Sequence, residues 1–495
     1  MLRLLASLML LFVAVPAAAQ IPHLKDGQLI VDGKPFLILG GELGNSSASE
    51  RAWLAPHWAR LKAMHLNTVL APVSWELIEP VEGKFDFASV DWLIEDARAH
   101  DLRLVFLWFG SWKNSMSTYV PAWVKRDERR FPRTTGPDGK AQEILSAFGT
   151  ATRDADARAF AALMAHVKQV DGERHTVIMV QVENEIGFLP SARERGPVAD
   201  AAFAKFKGSE EAFTADAYAR FTEAVTRAGK QAYPLPMYVN GAQGRPGKLP
   251  GEYPSGGPLA HLFGIWRKSA PSVDFLAPDI YFPSFAGIVA VYARPGNPLF
   301  VPEANNAGDP RAAANAFGVI ARHRGIGFSP FSIESIDADG AAKLGALYGL
   351  LDSMTPEIVR AQASERIRGF SPPVTFGGTV DDTPQVETLG GYRFTVSFVD
   401  PWTAKDKQVS AEHGGMILWR GGEDYWIAGS GITVTVEPAD GKGRAGLDSV
   451  VEGHFVDGKW VPGRVLNGDQ THQGRHVRLP PDAQGAQRVR LYRYG

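Results

Sequence analysis

Eight short apolar runs follow one another between residues 35 and 333, and stretches with helical periodicity lie between them. The runs are Pro35–Leu39, Thr68–Val73, Leu102–Phe109, Val177–Val180, Pro236–Val239, Asp274–Ile280, Leu299–Pro302 and Gly327–Ile333. Runs of this length that are rich in branched side chains are typical of strands buried on both faces. Eight such strands alternating with helices predict a parallel (β/α)8 TIM barrel.

A doubly wound open sheet is the alternative arrangement of alternating strands and helices. Such a sheet usually carries a GxGxxG phosphate loop after its first strand. Only the pair Gly40-Gly41 follows the first run here. The missing loop favours the barrel.

The pattern changes after about residue 370. Between Tyr392 and Phe398 aromatic and aliphatic residues alternate with polar ones, and further short strand-like segments follow between turns. A period of two indicates strands with one buried face, so we expect a smaller C-terminal antiparallel β-sandwich. With the hinge near Pro372-Pro373, the predicted domains are a catalytic barrel over residues 20–368 and a sandwich over residues 369–495.

The first 19 residues have the features of a secretory signal peptide. Arg3 precedes the apolar stretch Leu8–Val15, and Ala17-Ala18-Ala19 offers a cleavage site. We therefore expect an exported protein, periplasmic or extracellular. No later stretch is long and apolar enough to span a bilayer.

Charge and cysteine content exclude several classes of partner. The formal net charge is -2 with no long basic run, so nucleic acid is not an expected partner. The sequence has no cysteine, which removes disulfides and thiolate metal sites. The sequence leaves the oligomeric state open.

Polar residues follow several of the apolar runs directly. The clearest case is the fourth run, which continues as Glu183-Asn184-Glu185, and Glu303 follows the seventh run. Because the carboxyl ends of barrel strands meet on one face, we expect these residues to converge there. The plainer interpretation is a charged loop after a strand. Other strand ends deliver Glu42, Trp75, Glu76, Trp112, Asn240 and Tyr281.

Two glutamates facing each other among aromatic side chains suit glycoside hydrolysis. One carboxyl group must protonate the departing oxygen while the other, ionised, meets the anomeric carbon. A separation near the roughly 5 Å of retaining enzymes is expected. No histidine cluster supports a metal site, and no Gly-x-Ser-x-Gly elbow supports an acyl-transfer serine. We expect no metal and no cofactor.

The segment Gln181–Glu185, QVENE, resembles the signature of glycoside hydrolase family 35, the β-galactosidases of the retaining barrel clan. The resemblance covers about residues 24–340. It implies that Glu185 is the acid/base, that Asn184 holds the 2-hydroxyl of the sugar and that Glu303 is the nucleophile. It also implies that Tyr281 hydrogen-bonds the nucleophile.

The sequence departs from the family pattern at three places. Arg174-His175-Thr176 stands where the family usually has Gly-Gly-Pro, and Ile186 stands where it usually has Tyr. The usual galactose-binding loop after the third strand is replaced by residues 110–114, GSWKN. These changes affect the expected sugar specificity and leave the two carboxylates in place.

The remaining candidates have a structural alternative. Strand alternation places Glu183 on the opposite face from Asn184, where a structural ion pair is expected. Asn240 is expected to contact substrate. Trp75, Glu76 and Trp112 are candidates for sugar binding, with loop packing as the other interpretation.

The sequence predicts a retaining, exo-acting β-galactosidase whose two-domain layout resembles a bacterial branch that removes galactose from plant polysaccharides such as xyloglucan. Two alternatives stay open. One is the same mechanism acting on another sugar, as in a β-glucosidase or a glucosaminidase. The other is a carbohydrate-binding protein without catalysis.

Overall fold

The computed structural model describes residues 20–456 and 458–495. The predicted signal peptide, residues 1–19, lies outside this range. Within the described residues no helix combines the length and the apolar character needed to cross a membrane.

Eight parallel strands close into a barrel, with each strand hydrogen-bonded to the next and the last to the first. They are β1 (Ile38–Glu42), β2 (Thr68–Ser74), β3 (Arg103–Lys113), β4 (Val177–Asn184), β5 (Met237–Ala242), β6 (Phe275–Ile280), β7 (Phe300–Asn306) and β8 (Gly327–Phe331). The predicted (β/α)8 barrel is confirmed.

Helices connect the strands and cover the outside of the barrel. The α-helices of this part are Arg51–Leu54, Trp58–Ala63, Trp75–Ile78, Ala88–Ala99, Ala122–Lys125, Thr150–Asp171, Pro197–Phe203, Glu210–Ala232, Phe263–Ser269, Phe285–Tyr292, Ala312–Phe317 and Ala338–Ala363. A π-helical segment, Gly318–Arg322, extends the penultimate one.

The strands form here because their apolar side chains are removed from water on both faces. In β4, Val180 and Val182 belong to the core between strands and helices, whereas Ile178 and Met179 belong to the core inside the barrel. Burying one such side chain stabilises the fold by about 1.5–3 kcal/mol.

A small three-stranded antiparallel sheet closes the bottom of the barrel. Its strands are His23–Lys25, Gln28–Val31 and Lys34–Phe36. Leu29 and Val31 join the core inside the barrel. The interior is therefore packed from below, and only the mouth at the carboxyl ends of the strands is left for a ligand.

One two-stranded sheet lies outside the predicted pattern. The strands Arg133–Thr135 and Ala141–Leu145 pair in antiparallel fashion within the long connection after β3. Their sequence, with few large apolar residues, gives no clear strand signal. This hairpin extends one side of the barrel mouth.

The C-terminal part is a sandwich of two antiparallel sheets, which confirms the predicted fold class. The six-stranded sheet contains, in spatial order, Ile367–Phe370, Gly414–Gly421, Asp424–Ser430, Gly485–Tyr494, Arg444–Val456 and Lys459–Leu466. The four-stranded sheet contains Gln385–Leu389, Tyr392–Ser397, Ile432–Pro438 and Val477–Leu479. The predicted division between residues 368 and 369 falls inside the strand Ile367–Phe370 and stays a prediction.

The six-stranded sheet has two apolar faces. Ile417 and Ile427 point into the sandwich, whereas their neighbours Met416 and Trp426 belong to the same continuous core as the barrel helices. The sheet lies against the helices Ala312–Phe317 and Ala338–Ala363. The barrel and the sandwich therefore share one hydrophobic core.

Gly369 shows how closely the two parts approach each other. A Cβ atom at this position would collide with backbone atoms of Phe317 and Arg322. Only glycine permits that approach, because any other residue would push the first strand of the sandwich away from the barrel.

Candidate active site

Three carboxylates meet at the mouth of the barrel. Glu185 directly follows β4, Asp279 lies in β6 and Glu303 lies in β7. One oxygen of each lies within 4.8 Å of one oxygen of both others. Barrel closure thus brings Glu185 and Glu303, the two glutamates selected from the sequence, into one cluster.

The backbone at the end of β4 leaves regular strand geometry at both of its glutamates. The φ angle is +60° at Glu183 and +45° at Glu185, a region that non-glycine residues enter at a cost and often at functional sites. In a regular strand these two side chains would share a face. Here Glu185 turns into the mouth, while Glu183 accepts a hydrogen bond from the Trp112 backbone outside it (2.8 Å).

Glu185 has the properties of a proton donor. Burial and the neighbouring charge of Glu303 raise its pKa to about 7, and the ammonium group of Lys113 opposes this rise. Its backbone N–H donates to Oδ1 of Asn240 (3.1 Å), which fixes the loop that carries it. A carboxyl group with this pKa can hold a proton close to neutral pH.

One carboxylate oxygen of Glu303 has a hydrogen-bond donor, and the other has none among the described residues. The hydroxyl of Tyr281 donates a hydrogen bond to its Oε1. Its Oε2 is buried and has no hydrogen-bond partner among the described residues. Burial and the charge of Glu303 raise the pKa of Tyr281, so the phenol stays a donor.

Two amides and a lysine complete the floor of the cluster. The Nζ atom of Lys113 donates to Oδ1 of Asn184 (2.8 Å) and lies 5.0 Å from the centre of the Phe109 ring. The Nδ2 atom of Asn240 donates to Asp279 (2.6 Å). The Nδ2 atom of Asn184 has no partner within the described part of the chain, so it can donate to a sugar hydroxyl.

Asp279 and Glu42 add two carboxyl groups that the sequence did not single out as catalytic. Burial raises the pKa of both well above their ordinary values, and the charge of Glu303 raises them further. Lys113 lowers both. With one nearby cation for four carboxyl groups, the cluster must retain protons at neutral pH.

Comparison with known proteins finds a family match within the barrel. Residues 28–234 match the family model described as glycosyl hydrolases family 35. Over 190 residues the chain is 31% identical to a beta-galactosidase of Xanthomonas manihotis. The first four strands of the barrel lie within the family match. The alignment with that relative covers 36% of this chain and 29% of the relative's length.

Other comparisons concern the fold and the sandwich. The crystal structure of a beta-galactosidase from the psychrophilic Marinomonas ef1 superposes with a TM-score of 0.50 at 11% identity, covering 68% of this chain and 62% of that one. That likeness supports the fold alone. Residues 344–478 match DUF5597, a domain of unknown function.

The spacing of the three carboxylates would also allow them to hold a cation. Carboxylate oxygens suit calcium or magnesium. The buried ammonium group of Lys113 already supplies positive charge to the same cluster. That the site uses neither metal nor cofactor stays a prediction.

The structure does not place Trp75, Glu76 and Trp112 among the substrate-binding groups. The indole of Trp75 is fully buried and donates to Glu79 (2.9 Å). The indole of Trp112 is fully buried against Tyr218 on the helix Glu210–Ala232. Glu76 forms a surface ion pair with Lys125 (3.1 Å). Sugar binding is corrected to packing for the two tryptophans, because neither leaves a surface open to a ligand.

A second carboxyl pair lies outside the mouth, in the layer between strands and helices. Glu183 hydrogen-bonds to Asp156, and burial raises the pKa of both. Asp156 also accepts hydrogen bonds from the indole of Trp108 (2.8 Å) and from the backbone of Ser111 (2.9 Å). Sequence analysis predicted a structural ion pair for Glu183. Its charged neighbour is instead a second carboxyl group, Asp156, whose charge raises the pKa of Glu183 further.

Proposed function

We propose that this protein is a retaining β-galactosidase that removes terminal β-galactosyl units. One observation carries the proposal: the oxygens of Glu185 and Glu303 approach within 4.8 Å across the mouth of the barrel. Retaining glycosidases hold their two carboxyl groups about 5–5.5 Å apart, whereas inverting enzymes need about 6.5–9.5 Å to admit a water molecule.

The two glutamates have the unequal environments that this reaction needs. The pKa of Glu185 is about 7, so it can carry the proton for the departing oxygen. Glu303 accepts a hydrogen bond from Tyr281, which stabilises a carboxylate and leaves Oε2 for attack. The difference between their surroundings supports the acid role for Glu185 and the nucleophilic role for Glu303.

The first half of the reaction forms an ester between the sugar and the enzyme. Oε2 of Glu303 attacks the anomeric carbon, the bond to the leaving-group oxygen breaks, and Glu185 gives its proton to that oxygen. The Tyr281 hydroxyl, which donates to Oε1, keeps the attacking carboxylate in place. The unpartnered Nδ2 of Asn184 donates to the 2-hydroxyl of the sugar.

The second half releases the sugar. Glu185, now ionised, removes a proton from a water molecule that attacks the same carbon, and the bond to Glu303 breaks. The carboxyl group of Glu185 regains its proton from that water. Two displacements on one carbon return the original β configuration.

The finer specificity is part of the same proposal. Galactose as the sugar is supported by the family 35 match and by the β-galactosidase relative. Exo action and xyloglucan side chains as substrate rest on the sequence resemblance. Export to the periplasm or beyond rests on residues 1–19.

A panel of nitrophenyl glycosides tests the sugar, and proton NMR of the fresh product tests the stereochemistry. We expect hydrolysis of the β-galactoside with first appearance of β-galactose. Faster hydrolysis of the β-glucoside or the glucosaminide would replace galactose in the proposal. First appearance of α-galactose would contradict retention, and binding of galactosides without turnover would contradict catalysis.

Export is tested separately by fractionation. The full-length chain with its own first 19 residues should be recovered outside the cytoplasm of a bacterial host, with a new N-terminus near Gln20. Recovery of the unprocessed chain in the cytoplasm would contradict export.

A further inference from the structure

A cavity of about 580 Å³ lies between the barrel and the sandwich, next to the carboxylate cluster. The barrel contributes Tyr281, Asn305, Asp309 and Arg311, and the sandwich contributes Val409 and Glu412. The volume falls within the range of about 300–1,000 Å³ that is usual for small-molecule sites.

The cavity adjoins the nucleophile through two of its lining residues. The hydroxyl of Tyr281 donates to Glu303, and 43% of the Tyr281 surface is exposed. Asn305 lies two residues beyond Glu303 in β7. Its Oδ1 atom is buried without a partner among the described residues. A molecule in the cavity therefore contacts Tyr281, the residue that hydrogen-bonds the nucleophile.

On the sandwich side, the cavity is lined by a loop, residues 400–412, that several hydrogen bonds hold in place. Arg478 donates twice to the buried carboxylate of Asp400, at 2.7 and 2.8 Å. The side chain of Gln408 bonds the backbone of Asp400 and of Thr403. These bonds hold the segment Ser410–Glu412, a short 3-10 helix, at the end of a braced loop.

The position of this loop relative to the barrel is also fixed. Glu412 lies 3.9 Å from the ammonium group of Lys343 on the helix Ala338–Ala363. The strand Gly414–Gly421, which follows the loop, contributes Met416 to the core shared with the barrel. The loop is therefore part of the wall of the mouth.

We propose that this cavity is the subsite for the leaving group, so that the C-terminal sandwich contributes to substrate selection. The inference rests on the proposed function and extends it. A leaving group attached to the sugar at Glu303 must lie outside the carboxylate cluster, and the cavity beside Tyr281 is the space that the two domains enclose there.

The chemistry of the lining favours a neutral sugar unit. The charges of Asp309 and Arg311 neutralise each other in an ion pair (2.6 Å), and the carboxylate of Glu412 faces the ammonium group of Lys343 (3.9 Å). The exposed ring of Tyr281 and the side chain of Val409, 57% exposed, offer apolar surface for the face of a pyranose. The Oδ1 atom of Asn305 can accept a hydroxyl hydrogen. The subsite therefore suits the next, uncharged sugar of an oligosaccharide.

The test compares two kinds of β-galactoside, one with a single-atom leaving group and one with a sugar as the leaving group. In β-galactosyl fluoride the leaving group is one atom and cannot reach the cavity, whereas lactose and a galactosylated xyloglucan oligosaccharide place a sugar there. The variants Ala411→Trp and Val409→Trp fill the cavity from the sandwich side. Ala404→Trp, an exposed position of the same loop outside the lining, is the matched control.

For both cavity variants, the ratio of kcat/KM for the oligosaccharides to kcat/KM for the fluoride should fall at least tenfold. The control should keep the ratio of the native protein. Val409→Trp is the safer variant for folding because its side chain is exposed. A ratio within twofold of native in both cavity variants would overturn the subsite, as would equal losses on all substrates. No fluoride hydrolysis by the native protein would instead contradict the proposed function.

Discussion

Two carboxyl pairs lie on either side of the end of β4. Glu183, in the strand, belongs to one pair, and Glu185, directly after the strand, belongs to the other. Outside the barrel, Glu183 lies beside Asp156. Inside the mouth, Glu185 faces Glu303. In both pairs burial raises the pKa of the β4 glutamate. A perturbed pKa is therefore not what separates a catalytic group from a structural one.

Position relative to the mouth of the barrel makes the difference. Glu183 is 1% exposed and lies outside the mouth, where it accepts a hydrogen bond from the backbone of Trp112. Glu185 is partly exposed. Two buried atoms near it, Oε2 of Glu303 and Nδ2 of Asn184, have no partner among the described residues and are those that a sugar would complete.

Replacing the nucleophile should have the largest effect on catalysis and so distinguish the pair in the mouth most clearly from the pair outside the barrel. Glu303→Gln keeps the shape of the side chain but removes the attacking charge, so kcat should fall by about 10⁴-fold or more. The melting temperature should not fall, because a buried like-charge contact with Glu185 is relieved. Hydrolysis of 4-nitrophenyl β-galactoside and thermal unfolding measure the two effects. Retained turnover in this variant would refute the role of Glu303.

Removing the acid should have a smaller effect that depends on the leaving group. Glu185→Ala should lower kcat/KM by about 10²–10⁴-fold on substrates whose leaving oxygen needs a proton. A 2,4-dinitrophenyl β-galactoside needs none, so its cleavage to the sugar ester should persist. Azide should then restore turnover and yield β-galactosyl azide.

The matched control for the acid variant is Glu303→Ala. Azide entering the space left by the nucleophile attacks from the opposite face and should give the α-azide. If Glu185→Ala yields the α-azide instead, the two roles are exchanged.

Substitutions in the pair outside the barrel, Glu183 and Asp156, should change the stability of the protein and not its catalytic rate. Glu183→Ala leaves the buried N–H of Trp112 without its acceptor and should lower the free energy of unfolding by about 1–3 kcal/mol. Glu183→Gln keeps the acceptor for Trp112 and a donor for Asp156, and so should cost about 1 kcal/mol or less. Urea unfolding measures both. Equal losses for Ala and Gln would contradict the expectation that the acceptor for Trp112 and a donor for Asp156 account for the stability of this pair.

The smallest expected effect is a shift in the pH profile. Glu185 must be protonated to act as the acid, so kcat/KM should decline as the pH rises through about 7. Lys113 lowers that pKa. Lys113→Met should therefore move the alkaline limb upward by about one pH unit, whereas Lys113→Arg should leave the limb near its native position. A downward shift in Lys113→Met would contradict the assigned charge coupling.

The barrel was predictable because its signal is local. Each strand is a run of apolar residues such as Val177–Val180, and burial on both faces leaves no other arrangement for eight of them. The polar residues that end β4 and β7 could be predicted from the sequence as well, because they directly follow these apolar runs. Their convergence follows from the topology.

What the sequence could not reveal depends on residues distant along the chain. Trp75 and Trp112 stand at strand ends, yet whether an indole lines a mouth or fills a core depends on which helix covers it. Asp279 is one polar residue in a buried strand, and its importance comes only from Glu185 and Glu303 beside it. The positive φ of Glu185 breaks the strand alternation from which its direction would be inferred.

The core shared by Met416, Trp426 and the barrel helices has a consequence for anyone who divides this protein. A fragment that stops after the barrel would expose an apolar side of the helix Ala338–Ala363 to water. The isolated sandwich would expose the indole of Trp426. Neither piece should stay dispersed on expression. Chimeras with relatives will need to exchange both contacting surfaces together.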